Sequence, residues 1–266
     1  MRTIKEAYPR HTYSALALAD AFNSAYALSK SPEDDGLPLT ELNGDSSLSC
    51  QERLERYISA LPSATSKHDL VGILRTRLIV AFGKKHGCES VAWGDSTTRL
   101  AEKMLAETAK GRGFALPWHV SDGMTPYGLT FTYPLRDLLK KEIIMYSSMT
   151  NPLSSIVTED PRAMQPAASA KDTTIDQLMS QYFESVEENY PAIVANVVRT
   201  SSKLEAPRLP EQLITCTLCS MPIADGITGI HGWGGDQEAL PPNAQPALVH
   251  GVSERLCYGC ARSVKG

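Results

Sequence analysis

The sequence predicts an α/β fold, a parallel sheet with crossover helices, followed by a C-terminal knuckle that holds one metal ion on four cysteines. Three observations carry this reading. Helical and strand-like apolar periods alternate between Leu61 and Met149, VAWGDSTTRLAEKM reads as strand, turn and helix in succession, and two CxxC pairs stand near the C-terminus. With 266 residues, 42% of them hydrophobic and 21% charged, the chain is long enough for one such core and one appended module. The organisation expected is a helical and loop segment over 1–60, the α/β core over 61–150, a connection and long helical segment over 151–210, and the four-cysteine module over 211–266.

The first segment is weakly patterned. A helix is expected from Tyr13 to Leu28, then an exposed loop at KSPEDDGLPLTELNGDSS, then a short helix from Gln51 to Ala60. From Leu61 the signal sharpens. Ser66-Lys67-His68-Asp69 has the form of a capping box, and Leu70, Val71, Leu74, Leu78 and Phe82 follow at helical spacing, with Gly83 or Gly87 to end the helix. Ser90 to Trp93 is a short apolar strand. The helix after it puts Leu100, Met104 and Leu105 on one face and stops at Gly111-Arg112-Gly113. Leu129, Phe131 and Tyr133 alternate with threonines, the period of a strand. Pro134-Leu135-Arg136-Asp137 opens a further amphipathic helix with Leu139, Ile143 and Tyr146 on its face.

A Pro-, Ser- and Ala-rich connection spans Asn151 to Ala170. A long helical pattern follows from Thr174 to about Arg199, interrupted before Pro191, with Ile175, Leu178, Met179, Tyr182 and Val186 as its stripe. No apolar run is long enough to span a bilayer, and MRTIKEAYPRHTYS has no apolar core of a secretory signal, which points to the cytosol or nucleus.

Of six cysteines, Cys216, Cys219, Cys257 and Cys260 form the two CxxC pairs, while Cys50 and Cys88 stand alone. Each pair offers two thiolates from one tight turn, so the four close a tetrahedral site. Zinc is the first reading, and an iron–sulfur cluster is the alternative. The spacer of 37 residues must carry a loop of its own, and His231 within it reads as a loop histidine rather than a ligand.

The second candidate site is the turn Gly94-Asp95-Ser96. At the carboxyl end of a parallel strand it lies where α/β sheets bind ligands, while its bland role is to cap the helix it precedes. It has one glycine, and the chain has no GxxxxGK[ST], GxGxxG or SGGxDS-like loop, so no backbone nest for ATP phosphates is expected. No Ser-His-Asp or Cys-His pairing stands out, so no catalytic residue is assigned. The net charge of −4 hides an asymmetry: residues 66–150 carry twelve Lys or Arg against eight Asp or Glu. Arg99, Arg112, Arg136 and Lys140 fall at turns that should open on one sheet edge, a strip suited to phosphate; Arg99 and Arg136 could equally pair with Asp95 or Asp137.

These residues together resemble a known family. LPSATSKHDLVGILRTRLIVAFGKKHGCESVAWGDSTTRLAEKMLAETAKGRGFALPW, YPLRDLLKKEIIMYSSM and the paired CTLC and LCYGC are similar to the C-terminal half of the cytoplasmic tRNA 2-thiolation protein 2 family. The resemblance implies part of an adenine-nucleotide alpha-hydrolase-like fold and a cytoplasmic role. It implies a non-catalytic subunit in a heterodimer with an ATP-pyrophosphatase sister that thiolates the wobble uridine of tRNA (mcm5s2U formation). Sulfur would arrive on a ubiquitin-related modifier, and Gly94-Asp95-Ser96 would be the remnant of the sister's nucleotide turn. Nothing in the chain matches the family's N-terminal half, so a truncated member is expected, and MTNPLSSIVTEDP lacks the sister's cluster-binding cysteine. The other readings are a tRNA-modifying enzyme that uses ATP itself and a zinc-knuckle adaptor between proteins with no RNA role.

Overall fold

The computed structural model describes residues 2–26, 48–157, 173–206, 215–223 and 256–265. The loop at 30–47, most of the connection at 151–170, His231 and the loop around it lie outside these. A short helix α1 (Arg2–Ala7) opens the chain, where none was expected. The helix expected from Tyr13 to Leu28 is instead extended chain followed by 3-10 turns at Leu18–Phe22 and Ser24–Tyr26. Asp20 and Asn23 explain the difference: their side chains accept the backbone N–H groups of Ala17 and Ala25, at 2.9 Å each, and so compete with helical bonding.

Helix α2 (Cys50–Ala60) runs close to its expected bounds behind a capping box formed by Ser49 and Glu52. Helix α3 (Ala64–Lys85) starts earlier than expected because Ser63, not Ser66, is its cap; the Ser63 hydroxyl accepts the Ser66 N–H at 3.0 Å. That leaves Asp69 free of capping duty, in the second turn and buried. Gly87, at φ +68°, ends the helix, while Gly83 stays inside it, where a Cβ would press on Leu129 at 3.4 Å.

Strand β1 (Ser90–Ala92) leads into helix α4 (Thr97–Ala109), the four-residue helix α5 (Leu116–His119), strand β2 (Gly123–Met124) and strand β3 (Thr130–Thr132). The sheet order is β1-β3-β2. β1 and β3 are parallel, with Val91 opposite Phe131, as the crossover through α4 requires. β2 runs antiparallel to β3, so the sheet is small and mixed rather than wholly parallel.

Helix α6 (Lys140–Met149) starts later than expected, because Pro134 to Leu138 form turns and Glu142 caps the Leu139 N–H at 2.7 Å. Ile143 and Ser147 face inward, whereas Tyr146, expected on the inner face, is exposed together with Ile144, Met145 and Met149. A single turn α7 (Leu153–Ile156) follows, then α8 (Ile175–Asn189) and α9 (Pro191–Ser201), broken at Pro191 as expected, both packed on α4. The stripe of α8 is rotated from the expected one. Phe183 and Glu187 are buried, while Leu178 and Tyr182 are about half exposed. Glu187 explains the rotation: its carboxylate accepts the Thr98 hydroxyl at 2.6 Å and the first-turn N–H of Lys141 in α6 at 3.1 Å, so a charged residue must point inward. Helix α10 (Tyr258–Lys265) closes the chain.

The core joins these parts into one apolar cluster, from Tyr57, Leu70 and Leu74 through Leu100 and Phe131 to Phe183, Val194 and the four cysteines. Within it sits a charged network. Arg112, 1% exposed, donates to both oxygens of Asp69 and through Nε to Glu107 at 2.6 Å. Lys110 lies 3.1 Å from Asp69, 2.8 Å from Glu107 and 3.1 Å from Asp176, and Asp176 also holds His68 at 3.2 Å. Ser263 of α10 donates to Asp69 at 2.6 Å. Burial alone would raise the Asp176 carboxyl, but the His68 hydrogen bond and the Lys110 charge bring it down to about 2.

Because Arg112 neutralises two buried carboxylates, Arg112→Met should cost about 3–5 kcal/mol in urea unfolding. Arg112→Lys should recover only part of that loss, since an ammonium cannot form the bidentate fork. Equal stability of the native and Arg112→Met chains would rule the network out as a structural anchor.

His119 yields a second expectation, about pH. Burial pushes its imidazole down to about 4 from 6.5, the Lys103 charge adding to the effect and the Glu107 charge opposing it. The unfolded chain therefore takes up that proton first, so native stability is intact above about pH 6.5 and declines as pH falls towards about 4. Urea midpoints at pH 7 and pH 5 should differ less for His119→Gln than for the native chain; identical differences would assign the proton to another group.

Candidate functional site

The turn after β1 is built by side chains rather than by a glycine nest. Trp93 N–H continues the ladder to Thr132 at 2.8 Å, and the Ser96 hydroxyl then caps α4 by accepting the Arg99 N–H at 3.2 Å. The Thr97 N–H is taken by the Leu138 carbonyl at 2.9 Å and its hydroxyl donates to the Arg136 carbonyl at 2.6 Å. The first-turn N–H groups of Thr97 and Arg99 that could otherwise face a phosphate are thus occupied within the protein. Gly94 has open space where a Cβ would stand and no left-handed backbone, so nothing steric demands a glycine there.

Beside this turn lies a cavity of about 170 Å³ between α3, the end of β1, α4 and the cysteine knuckle. Asp95, Arg99 and Arg112 line it. Arg136 and Lys140 do not, although both sit near the start of α4 through their backbone atoms. Each of the four expected phosphate-binding cations has a carboxylate partner. Arg99 meets Glu102 at 2.8 Å, Arg136 meets Asp122 at 3.5 Å, and Lys140 meets Glu184 at 2.6 Å. The alternative pairings of Arg99 with Asp95 and of Arg136 with Asp137 are therefore not the ones formed. Arg112 must be corrected: it is sealed into the Asp69–Glu107 network and presents no guanidinium to solvent. The side chains of Arg99 and Lys140 remain 49% and 43% exposed, and ion pairs of that kind are weak enough to exchange for another anion.

Sequence reasoning passed over Trp93, Lys103 and His119, which line the same cavity. Lys103 was legible in one respect, since it stands four residues after Arg99 and so shares its helix face. It is 3.7 Å from Asp95, the residue that was expected to mark the turn.

The second site is the cysteine centre. The sulfur atoms of Cys216, Cys219, Cys257 and Cys260 all lie within 4.8 Å of one another and are buried, although 37 residues separate the two pairs. Cys219 and Cys257 sulfurs are 3.7 Å apart, close to the ~3.8 Å that Zn–S bonds of about 2.3 Å imply for a tetrahedral ion. In the first knuckle the Cys216 N–H donates to Met221 and the Ser220 N–H to Cys216, at 2.8 Å each, with Ser220 in the left-handed region at φ 59°. In the second, α10 begins directly after Cys257. Hydrogen bonding from Cys219, Cys257 and Cys260 pulls the Cys216 thiol down, while Cys219 and Cys260 are pushed up by hydrogen bonding to that sulfur and by burial. Four buried sulfurs that cannot ionise together unaided suit a divalent ion, and the donor set could hold a metal.

The knuckle is bolted to the α/β core. Arg77 of α3 donates to the carbonyls of Thr217 and Leu218 at 2.5 and 2.8 Å, and the Tyr127 hydroxyl donates to the Cys219 carbonyl at 2.8 Å. Opposite, Gly259 lies so close to Arg112 that a Cβ would stand 2.5 Å from its Cγ and 2.7 Å from the Lys110 carbonyl. Gly111, at φ +82°, has the ring of Tyr258 at 2.5 Å from the same position.

Comparison with known proteins adds the family. Residues 174–233 match the family described as Cytoplasmic tRNA 2-thiolation protein 2. The chain is 51% identical to the protein of that name from Phaeosphaeria nodorum over 98% of its own length and 67% of the relative's. It is 49% identical to the one from Pyrenophora tritici-repentis over the same shares, and 40% identical to that from Ajellomyces capsulatus over 97% of its length and 71% of the relative's. No solved structure matches the chain. Similarity thus extends across residues 1–60 as well as the segments that first suggested it, and spans about two thirds of the relatives rather than half. The chain belongs to the cytoplasmic tRNA 2-thiolation protein 2 family.

Proposed function

We propose that the chain is a non-catalytic subunit of the cytoplasmic complex that thiolates the wobble uridine of tRNA. The observation that carries this reading is similarity along nearly the whole chain to relatives named for tRNA 2-thiolation. A catalytic ATP-pyrophosphatase partner performs the adenylation and sulfur transfer that complete mcm5s2U, with sulfur delivered on a ubiquitin-related modifier. The chain contributes tRNA-binding surface and partner stabilisation, on a partial adenine-nucleotide alpha-hydrolase-like scaffold. Gly94-Asp95-Ser96 is the remnant of a nucleotide turn, in which Ser96 now caps α4. The chain holds no ATP on its own.

The metal is zinc, bound by Cys216, Cys219, Cys257 and Cys260. Bound there, it supplies charge that keeps four buried thiolates ionised and a covalent tie between two distant segments. The purified protein should carry about one zinc per chain, and Cys260→Ser should lower both the metal content and the melting temperature. Full zinc content in that variant would show that the two pairs do not share one ion. Stoichiometric iron after anaerobic purification would assign a cluster instead.

The partner reading gains support from α6, whose Ile144, Met145, Tyr146 and Met149 are all more than half exposed. That row also favours a second reading, an adaptor between proteins with no RNA role.

The RNA reading separates the two. Arg99, Arg136 and Lys140 form the tRNA-facing strip. Arg99→Glu with Lys140→Glu should weaken tRNA binding by the reconstituted heterodimer several-fold, reduce its salt dependence and lower 2-thiouridine in tRNA hydrolysates. Arg112 is left intact, because its reversal would unfold the core. If the doubly reversed subunit keeps its partner, its tRNA affinity and its thiolation level, these residues are scaffold.

A further inference from the structure

One residue lining the strand-end cavity carries a hydrogen-bond donor that the described residues leave unsatisfied. The Trp93 indole Nε1 is buried and finds no acceptor among the described residues. An orphaned buried N–H of this kind costs about 1–3 kcal/mol, and the residue that carries it lines the cavity.

The charges around it are arranged to match. Arg99 and Lys103 stand one turn apart on one face of α4, and both line the cavity, with Glu102 2.8 Å from Arg99 and Asp95 3.7 Å from Lys103. Among the described residues Lys103 forms one ion pair, with Asp95 at 3.7 Å, beyond hydrogen-bonding distance, and its ammonium lies over the Trp93 and Tyr133 rings at 5.6 and 5.7 Å. Burial pulls its amine down and the Arg99 charge adds to that, while Asp95 and Glu107 oppose the shift. From the facing helix α3 the exposed side chain of Arg75 reaches the same space, with no ion pair among the described residues. The remaining acids of the lining, Asp69, Glu107 and Asp176, are already taken by Arg112, Lys110 and His68. The volume, about 170 Å³, is several times the ~30 Å³ share of one water, room for a tetrahedral oxyanion with part of its hydration.

We propose that this cavity is a binding site for a single phosphate-class oxyanion, with Trp93 Nε1, Lys103 and Arg99 as its donors and Arg75 as an outer cation. It does not depend on the helix terminus, whose first-turn N–H groups at Thr97 and Arg99 are bonded to Leu138 and Ser96. Free inorganic phosphate and a backbone phosphate of RNA share this chemistry. The second source deepens the tRNA-binding reading and rests on it; the site itself does not.

The test follows the Trp93 indole N–H resonance of the full chain by NMR, assigned with Trp93→Phe, during titration with sodium phosphate against sodium chloride at equal ionic strength. Phosphate should shift that resonance saturably and chloride should not. Lys103→Gln should weaken the phosphate response about tenfold or more with its melting temperature in chloride unchanged. An unresponsive indole, an equal effect of chloride, or an unaltered response in Lys103→Gln overturns the site. A short RNA duplex distinguishes the sources. If RNA displaces phosphate at Trp93, the anion is a backbone phosphate. If RNA binds the chain and leaves Trp93 unmoved, the site serves free phosphate and the RNA surface is elsewhere. Phosphate binding without RNA binding by this chain alone would assign the site to free phosphate and leave tRNA binding to the assembled heterodimer.

Discussion

Arg112 holds three parts of the chain at once. Its guanidinium pairs with Asp69 on α3 and Glu107 on α4, and its aliphatic stem lies against Gly259 at the start of α10. A buried arginine with two carboxylates is tolerated only where the geometry is bidentate and the remaining lone pairs are filled. Here Lys110 and Ser263 supply that filling, and Asp176 accepts from Lys110 in turn. The consequence is positional. The network fixes how α3 and α4 approach each other, and so fixes the cavity that opens between them. It also sets where α10 begins, and Cys257 and Cys260 are carried at that start. Metal centre and cavity are therefore two faces of one rigid arrangement, and Cys219 lines both.

The same economy governs the start of α4. Its first-turn N–H groups at Thr97 and Arg99 are consumed by Leu138 and Ser96, and its Thr98 hydroxyl is consumed by Glu187. A nucleotide loop presents unpaired backbone N–H groups in a concave nest, whereas here the equivalent groups close onto the protein's own side chains and carbonyls. What remains for a ligand is side-chain chemistry on the inner face of the helix. A single oxyanion fits that better than a triphosphate, because the donors are an indole, an ammonium and guanidinium groups rather than a row of amides.

Much of the fold was legible in the sequence. The period of Leu70, Leu74 and Leu78 gave α3, the alternation around Phe131 gave β3, and Pro191 marked the break between α8 and α9. The four cysteines were found from spacing alone, since CxxC geometry is local and its pairing needs only that two such turns meet. The misses share one physical origin: polar side chains acting over long sequence distances. Asp69 read as a capping residue because its partner lies 43 residues on. Glu187 turned α8 away from its most apolar stripe in order to reach Thr98, 89 residues before it. Arg112 looked like a surface cation beside two glycines, when Gly111 in fact marks the close approach of α10, whose Gly259 lies against the Arg112 stem.

A surplus of Lys and Arg in one segment suggests an anionic partner, yet Arg112 and Lys110 spend their charge on three acids, Asp69 and Glu107 from the same segment and Asp176 from outside it. Charge counted along the sequence therefore overstates what a ligand meets. The cations that matter are those whose partners are distant or solvent-screened, Lys103 at 3.7 Å from Asp95 and the exposed Arg99 and Lys140, because an incoming phosphate has only a weak contact to displace there. By that criterion the helix face carrying Arg99 and Lys103 stands out from the wider basic strip. It is also where the uncommitted indole N–H points to the same kind of ligand.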